Sequence, residues 1–322
     1  MTPINLSSRP LNVVFMGTPG FAVPSLEALV KAGHHVRAAV TQPDRPKGRG
    51  RMPAPPPVKN AALALGLEVL QPERVSNTEF CEKIKTLCPD VIVVVAFGQL
   101  LKKPLLEMAP LGAVNIHASL LPGYRGAAPI AWAIINGETL TGLSTMKLDE
   151  GMDTGPVLLQ QAIPIGQDDT SGALHDRLAS ISGPLLLRTL EGLAEGTLEP
   201  KPQDNSHATY APKIDASIRR ISWPEPAEKI CSVIRGLDPS PGAVTSFEGR
   251  DLKVFSPVSV VSCKGASVPG RVRICSSGVF EVEAGRGAVR IGSAQLEGRK
   301  RMDAGDFLRG SPLREGMILG PS

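Results

Sequence analysis

Asn12-Val13-Val14-Phe15-Met16 runs straight into Gly17-Thr18-Pro19-Gly20, and beyond that turn Phe21, Val23, Leu26, Leu29 and Val30 return at helical spacing. An apolar run, a glycine-bounded turn and a 3.6-residue period read as strand, tight turn and helix. The pattern recurs downstream. Val36–Thr41 is strand-like, Val58–Leu65 and Thr78–Leu87 are helix-like, and Val91–Ala96 is a continuous β-branched run. Continuous apolar strands are buried on both faces, so strands alternating with helices predict an α/β domain with a mostly parallel sheet. Ligands of such sheets sit beyond the carboxyl ends of strands, which directs attention to the loops after Met16, Thr41, Ala96 and Ile116.

The second part of the chain has a different rhythm. From Pro200 to Ile214 the sequence is polar and lacks apolar periodicity, the composition of a linker, which places a boundary near residue 205. The expected division is 1–204, a linker at 205–214, and 215–322. Ala227–Arg235 reads as a helix, followed by short glycine-punctuated strands at Ala243–Phe247, Leu252–Val261, Gly270–Ile274, Val279–Ala284 and Ala288–Leu296. That spacing predicts a small β-barrel of the oligonucleotide-binding type. Residues 1–204 carry 18 Lys+Arg against 19 Asp+Glu, and residues 205–322 carry 17 against 12. A basic domain behind a near-neutral one fits a polyanionic partner, although proteins that bind none share such an excess.

With 322 residues and 42% hydrophobic content the chain can bury two ordinary cores. No run of about 18 apolar residues occurs, so neither a membrane span nor a secretory leader is expected. The five cysteines show no CxxC pair and no zinc-like spacing with the histidines, so a reducing compartment and no metal are expected. Gly-x-Gly-x-x-Gly is absent around Gly17, and no nucleotide cofactor is read there.

Chemistry concentrates between Gly112 and Gly155. Asn115 and His117 flank Ile116 at the end of an apolar strand, and residues two apart project to one side, presenting an amide and an imidazole together. Asp153, in Gly151-Met152-Asp153-Thr154-Gly155, lies in a loop able to bring a carboxylate to His117. The three suffice to polarise a carbonyl for acyl transfer. The same spacing also fits a turn-capping Asn, a core His and a turn Asp.

Asn115-Ile116-His117-Ala118-Ser119-Leu120-Leu121-Pro122-Gly123-Tyr124-Arg125-Gly126 followed by Met152-Asp153-Thr154-Gly155-Pro156-Val157 resembles the signature of folate-dependent formyltransferases. Gly17-Thr18-Pro19-Gly20 and Thr41-Gln42-Pro43-Asp44-Arg45-Pro46-Lys47 resemble the branch of that family whose acceptor is methionyl-tRNA. So do Tyr210-Ala211-Pro212-Lys213, Ile221-Ser222-Trp223 and Ile234-Arg235. The resemblance implies a Rossmann-like catalytic domain ahead of a small OB-like barrel. It also implies Asn115, His117 and Asp153 as catalytic residues, Ser119, Leu120, Leu121 and Pro122 as the folate-binding loop, and Phe97 and Gly98 as lining of the pteridine pocket. The implied reaction moves the formyl group of 10-formyltetrahydrofolate, a co-substrate, to the amino group of initiator Met-tRNA for translation initiation. A cytoplasmic monomer with no metal is the accompanying expectation.

Pro43–Arg51 holds four cations, Arg45, Lys47, Arg49 and Arg51, among two glycines and two prolines, and predicts an irregular basic loop that tracks tRNA phosphates; a solvated surface loop is the plain alternative. Two positions depart from the family pattern: Gly123, where a basic residue often follows the Leu-Leu-Pro, and Ser240, where an aromatic is common. Formyl transfer to glycinamide ribonucleotide or to an amino sugar, a formyl-folate hydrolase domain, and an inert RNA-binding protein of the same fold are the rivals.

Overall fold

The apolar run beginning at Asn12 is an interior strand of a seven-stranded sheet. The computed structural model of the protein describes residues 9–47, 52–263, 267–275 and 278–320. They pack as two compact units: one holds the residues up to Gly126 with Gly142–Ile163 and His175–Tyr210, the other Ala127–Thr141, Pro164–Leu174 and Ala211–Ser322. Residues 127–141 and 164–174, apolar enough to read as part of the catalytic half, belong to the second unit, and the polar residues 203–210 belong to the first.

In the first unit β1 (Asn12–Gly17) leads through a 3-10 turn into α1 (Val23–Lys31) and β2 (His35–Val40). A short ribbon of β3 (Arg45–Lys47) and β4 (Met52–Ala54) follows, then α2 (Pro57–Ala64), β5 (Val69–Leu70), α3 (Thr78–Thr86) and β6 (Val91–Val95). After α4 (Lys103–Leu106) comes β7 (Ala113–His117). The sheet order is β5-β2-β1-β6-β7-β8-β9, where β8 is Leu140–Lys147 and β9 is Val157–Pro164. β1 pairs in parallel with both β2 and β6, and β6 with β7, whereas β8 runs antiparallel to β7. The chain therefore reverses its winding at β1, which opens a crevice between the carboxyl ends of β1 and β6. Every residue of β6 is buried, as its unbroken β-branched run requires.

Two glycines let this unit close. A Cβ at Gly17 would lie 2.8 Å from the Ala22 Cβ and 3.1 Å from the Val95 carbonyl. At Gly183, in the long helix α6 (Ser171–Ala194) that follows α5 (Pro129–Ile135) in chain order, a Cβ would meet the Ala28 Cβ at 2.6 Å. Helices α1 and α6 thus approach closely enough for buried Ser25 and Ser182 to share a 2.8 Å hydrogen bond.

The second unit is built on α8 (Ala227–Gly236), which follows the single turn α7 (Ala216–Arg219) and buries Ala227, Ile230, Cys231 and Ile234. Its antiparallel sheet runs β10 (Ala243–Phe247), β11 (Arg250–Val261), β14 (Ala288–Leu296), β13 (Phe280–Glu283), β12 (Val272–Ile274), with β15 (Met302–Asp303) on β14 and α9 (Ala304–Gly310) beyond. Asp238 is nearly buried, and its carboxylate accepts from Arg301 Nη1 at 2.7 Å and from the Ser256 amide at 2.8 Å. Arg301 in turn lies 4.3 Å over the Phe255 ring. Among the described residues no helix is long and apolar enough to cross a membrane.

Replacing Gly17 by Ala forces the β1 turn apart from Ala22 and Val95, and overpacking of that kind costs about 1–3 kcal/mol. The expected result is a lower denaturation midpoint with an unchanged slope in chemical unfolding; a wild-type midpoint would show that the turn relaxes freely.

Candidate active site

β7 ends at the carboxyl edge of the sheet between β6 and β8, and Asn115 and His117 are alternate residues of it on one face. Both are buried, at 8% and 6% exposed. The His117 Nε2 lies 2.9 Å from the Tyr124 carbonyl, which only accepts, so Nε2–H is the donor and Nδ1 is left facing outward from that bond. Nδ1 faces the Asp153 Oδ2 at 3.6 Å. Asp153 Oδ2 also accepts the Gly126 amide at 2.8 Å. Among the described residues the Asn115 side-chain amide makes no hydrogen bond, and it remains available beside the imidazole.

The loop carrying Asp153 is drawn tight by its composition. Asp149 accepts the Gly151 amide at 3.0 Å and the Thr154 hydroxyl at 2.8 Å. A Cβ at Gly155 would sit 1.9 Å from the Lys147 carbonyl, so only glycine passes there. Asp153 itself has φ +55°, a left-handed conformation uncommon for a side-chain-bearing residue and found disproportionately where a loop is over-determined by its surroundings.

Ser119–Pro122 forms the next wall. Ser119 is buried and donates its hydroxyl to the Gly123 carbonyl at 2.6 Å, so its side chain shapes the turn. Buried Ser144 donates to the Ser119 carbonyl at 2.7 Å and accepts from the Leu121 amide at 3.0 Å and Gln160 Nε2 at 2.8 Å, fixing the turn's height above β8. A Cβ at Gly123 would meet the Leu120 carbonyl at 3.2 Å, so a side chain fits there with slight adjustment and the loop does not demand glycine. Ser240 is exposed in the second unit.

Phe97 and Gly98 follow β6. The Phe97 ring is 2% exposed and packs in the core with Leu101 and Leu105, so it presents backbone rather than a ring to the crevice. Its carbonyl accepts from Thr18 Oγ1 at 3.0 Å and Gln42 Nε2 at 3.3 Å, tying the loops after β1, β2 and β6 together. Ala96 at φ +47° and Gly98 at φ +89° make the sharp turn that does this.

The basic stretch is not irregular throughout. Arg45–Lys47 and Met52–Ala54 pair as an antiparallel ribbon in which Pro46 faces Pro53. Prolines lack the N–H of a ladder, which is why the sequence predicts an irregular loop; a pair facing each other at a non-hydrogen-bonded position removes no bond, and the ribbon forms. Arg45 is exposed and has no carboxylate partner among the described residues. Arg49, Arg51 and the Lys47 side chain lie outside the described part. Asp44, at the ribbon's base, accepts from Gln71 Nε2 at 2.7 Å and Lys59 Nζ at 2.7 and 2.9 Å.

Sequence reasoning missed Arg125, Gln203 and Asn205. Arg125 is 2% exposed and donates to the Gln203 Oε1 at 2.8 and 3.1 Å and to the Asn205 Oδ1 at 2.9 Å. Gln203 donates to the carbonyls of Asp153 at 2.9 Å and Gly155 at 2.6 Å. An arginine close between glycines was the available signal for the first; nothing in a polar aperiodic stretch marks the other two. No group of three His, Cys, Asp or Glu side chains poised to hold a metal occurs among the described residues.

Residues 11–190 match the family model described as formyl transferase, and residues 213–312 match the formyl transferase C-terminal domain. The methionyl-tRNA formyltransferase of Pelobacter propionicus is 50% identical over 98% of this chain and 97% of its own length. That of Pelotomaculum thermopropionicum is 48% identical over 96% and 99%. Among solved structures, HypX from Aquifex aeolicus in complex with tetrahydrofolic acid aligns at a TM-score of 0.66 with 18% identity, over 98% of this chain and 51% of that one. An N-formyltransferase from Helicobacter canadensis with folinic acid and dTDP-3-aminofucose also reaches 0.66, at 20% identity over 89% and 99%. At these identities the two structures speak for the fold.

Acidification tests how the ribbon is tied down. Bonds first from Gln71 and then from Lys59 hold the Asp44 carboxyl below its usual value. Its contribution is therefore complete above the ordinary carboxylate value of about 3.9 and is lost as pH falls through the lower folded value. Amide protection in β3 and β4 is expected to drop over that window and to be low at every pH in Asp44→Ala; protection independent of pH would detach the ribbon from this anchor.

Proposed function

The chain belongs to the formyl transferase family, and from that membership we infer that it transfers the formyl group of 10-formyltetrahydrofolate to the amino group of methionyl-tRNA. It is an enzyme of translation initiation that uses a reduced folate as co-substrate. The carrying observation is near-complete alignment, through both units, with curated relatives of that activity at up to 50% identity.

The residues of the first unit fit a formyl donor, which supplies an activated one-carbon unit on N10. An unpartnered amide at Asn115 stands beside His117 at the edge of the crevice, and the backbone of 96–98 and the Ser119–Pro122 turn bound it. As the amine adds to the formyl carbon, charge grows on the formyl oxygen, and the Asn115 N–H is the preorganised donor for it. His117 is the second. With Asp153 on the Nδ1 side, the nitrogen that deals with substrate is Nε2, and the Tyr124 carbonyl is the acceptor it exchanges for that contact. Asp153 keeps the ring in that orientation. Ser119, Leu120, Leu121 and Pro122 act as a wall whose shape, rather than whose side-chain polarity, receives the folate, and Phe97 and Gly98 contribute backbone.

The ribbon of β3 and β4 is assigned to the tRNA. Arg45 at its start, exposed and without a carboxylate partner among the described residues, supports this, together with Lys47, Arg49 and Arg51 further along the sequence. The initiator tRNA is the expected acceptor, and the enzyme is taken to work in the cytoplasm as a monomer.

Purified protein given 10-formyltetrahydrofolate with labelled formyl is expected to label initiator Met-tRNA and to leave free methionine, elongator Met-tRNA and glycinamide ribonucleotide unlabelled; labelling of a small acceptor instead would reassign the substrate. Asn115→Ala and His117→Ala are each expected to slow the chemical step by on the order of 100-fold or more with folate binding retained, as removal of an oxyanion donor does elsewhere. Near-normal turnover in both variants would refute these assignments. Alanine at Arg45, Lys47, Arg49 and Arg51 together is expected to raise KM for tRNA and to flatten the log–log salt dependence by roughly 0.7–0.9 for each phosphate that is no longer neutralised. An unchanged slope would make the ribbon a solvated surface feature.

A further inference from the structure

Resting on the proposed role of Asp153, we propose that Gln203 is a positioning residue of the reaction: bound to buried Arg125 on one side, it holds the main-chain carbonyls of Asp153 and Gly155 and so sets the Asp153 carboxylate against His117. The segment 203–210 reads in sequence as a tether, yet it is packed into the first unit. The Arg125 amide donates to the Thr209 carbonyl at 2.9 Å, and the Tyr124 amide donates to the Thr209 hydroxyl at 2.8 Å. Segment 203–210 is therefore fastened to the same Tyr124–Gly126 stretch whose carbonyl and amide touch His117 and Asp153.

Gln203 spends all its polar capacity on this task. Its oxygen receives two guanidinium bonds, and its two N–H groups go to the carbonyls of Asp153 and Gly155. Those carbonyls belong to the turn in which Asp153 is held at φ +55° and Gly155 admits no Cβ. A left-handed aspartate persists only where its neighbours over-determine it, and Gln203 supplies two of the constraints. The arrangement requires an amide at this position, because a carboxylate has no N–H to give and a hydrocarbon has neither function. Arg125 completes the design. It is nearly buried, its oxygen partners are two neutral side-chain amides, and among the described residues no carboxylate lies within ion-pair distance of it. Gln203 is the partner that places this cation, and the orientation of the cation in turn fixes the rotamer of Gln203.

The test is a double-mutant cycle. Gln203→Glu keeps the shape and the bond to Arg125 but cannot donate to the two carbonyls, so it isolates the clamp from packing. Wild type, Gln203→Glu, Asp153→Ala and the double variant are compared for single-turnover formyl transfer to Met-tRNA, for KM of the folate, and for melting temperature. Gln203→Glu is expected to lower the chemical rate at least 10-fold with KM changed less than about threefold, and to change nothing further once Asp153 is Ala, because a residue that acts through another has no effect in its absence. Gln203→Ala, which also releases Arg125, is expected to be slower still. A full-sized drop in the Asp153→Ala background, or a wild-type rate in Gln203→Glu, overturns the positioning role. A wild-type rate in Asp153→Ala alone overturns instead the underlying assignment of Asp153, so the two failures are told apart.

Discussion

An imidazole and a carboxylate 3.6 Å apart, both largely withdrawn from water, form the pair around which the first unit is arranged. Neither group reaches the other by default. His117 stands at the end of a five-residue buried strand and has no freedom to travel, so the carboxylate is brought to it by a loop bent through a left-handed residue. The glycines at 151 and 155, the Asp149 bonds and the close approach to the Lys147 carbonyl all serve that bend. Acyl transfer profits from such rigidity because donors that are already in place cost no reorganisation when charge develops.

Much of the fold was legible because the parallel sheet imposes a severe pattern. Strands buried on both faces must be apolar throughout, and Asn12–Met16 and Val91–Ala96 announce themselves for that reason. The strands of the second unit at Ala243–Phe247 and Ala288–Leu296 were equally plain, and their pairing is antiparallel. The 24-residue helix α6 was not legible, since Gly172, Gly183 and Pro184 interrupt its signal; Gly183 is there for the approach to Ala28, a tertiary demand invisible to local periodicity. At the site, strand alternation and a glycine-framed turn made Asn115, His117 and Asp153 candidates, and the resemblance of the surrounding motif to formyltransferases selected them. Gln203 did not, because an amide that works by bonding main chain 50 residues away leaves no local trace.

The second unit handles its charges by a different rule. Glu281 and Glu283 on β13 are nearly buried, and each is answered by a partly exposed arginine, Arg290 at 2.8 Å and Arg271 at 2.9 Å. Asp238 is likewise paired with Arg301 at 2.7 Å. Buried carboxylates under partly exposed guanidiniums hold the arginines in defined orientations. Three of the unit's arginines are thus fixed in orientation, each with its charge matched by a buried carboxylate.

The prolines facing each other in the β3–β4 ribbon reach beyond that ribbon. At a non-hydrogen-bonded position of an antiparallel pair the main-chain N–H groups point away from the partner strand, along the two free edges. Pro46 and Pro53 delete that donor on both edges at the same level. A short two-stranded ribbon standing off the sheet is otherwise an open invitation for a third strand, from another copy or from any extended peptide. Here both edges are blunted by Pro46 and Pro53, so association by strand addition is discouraged, and what the ribbon meets it meets through its side chains.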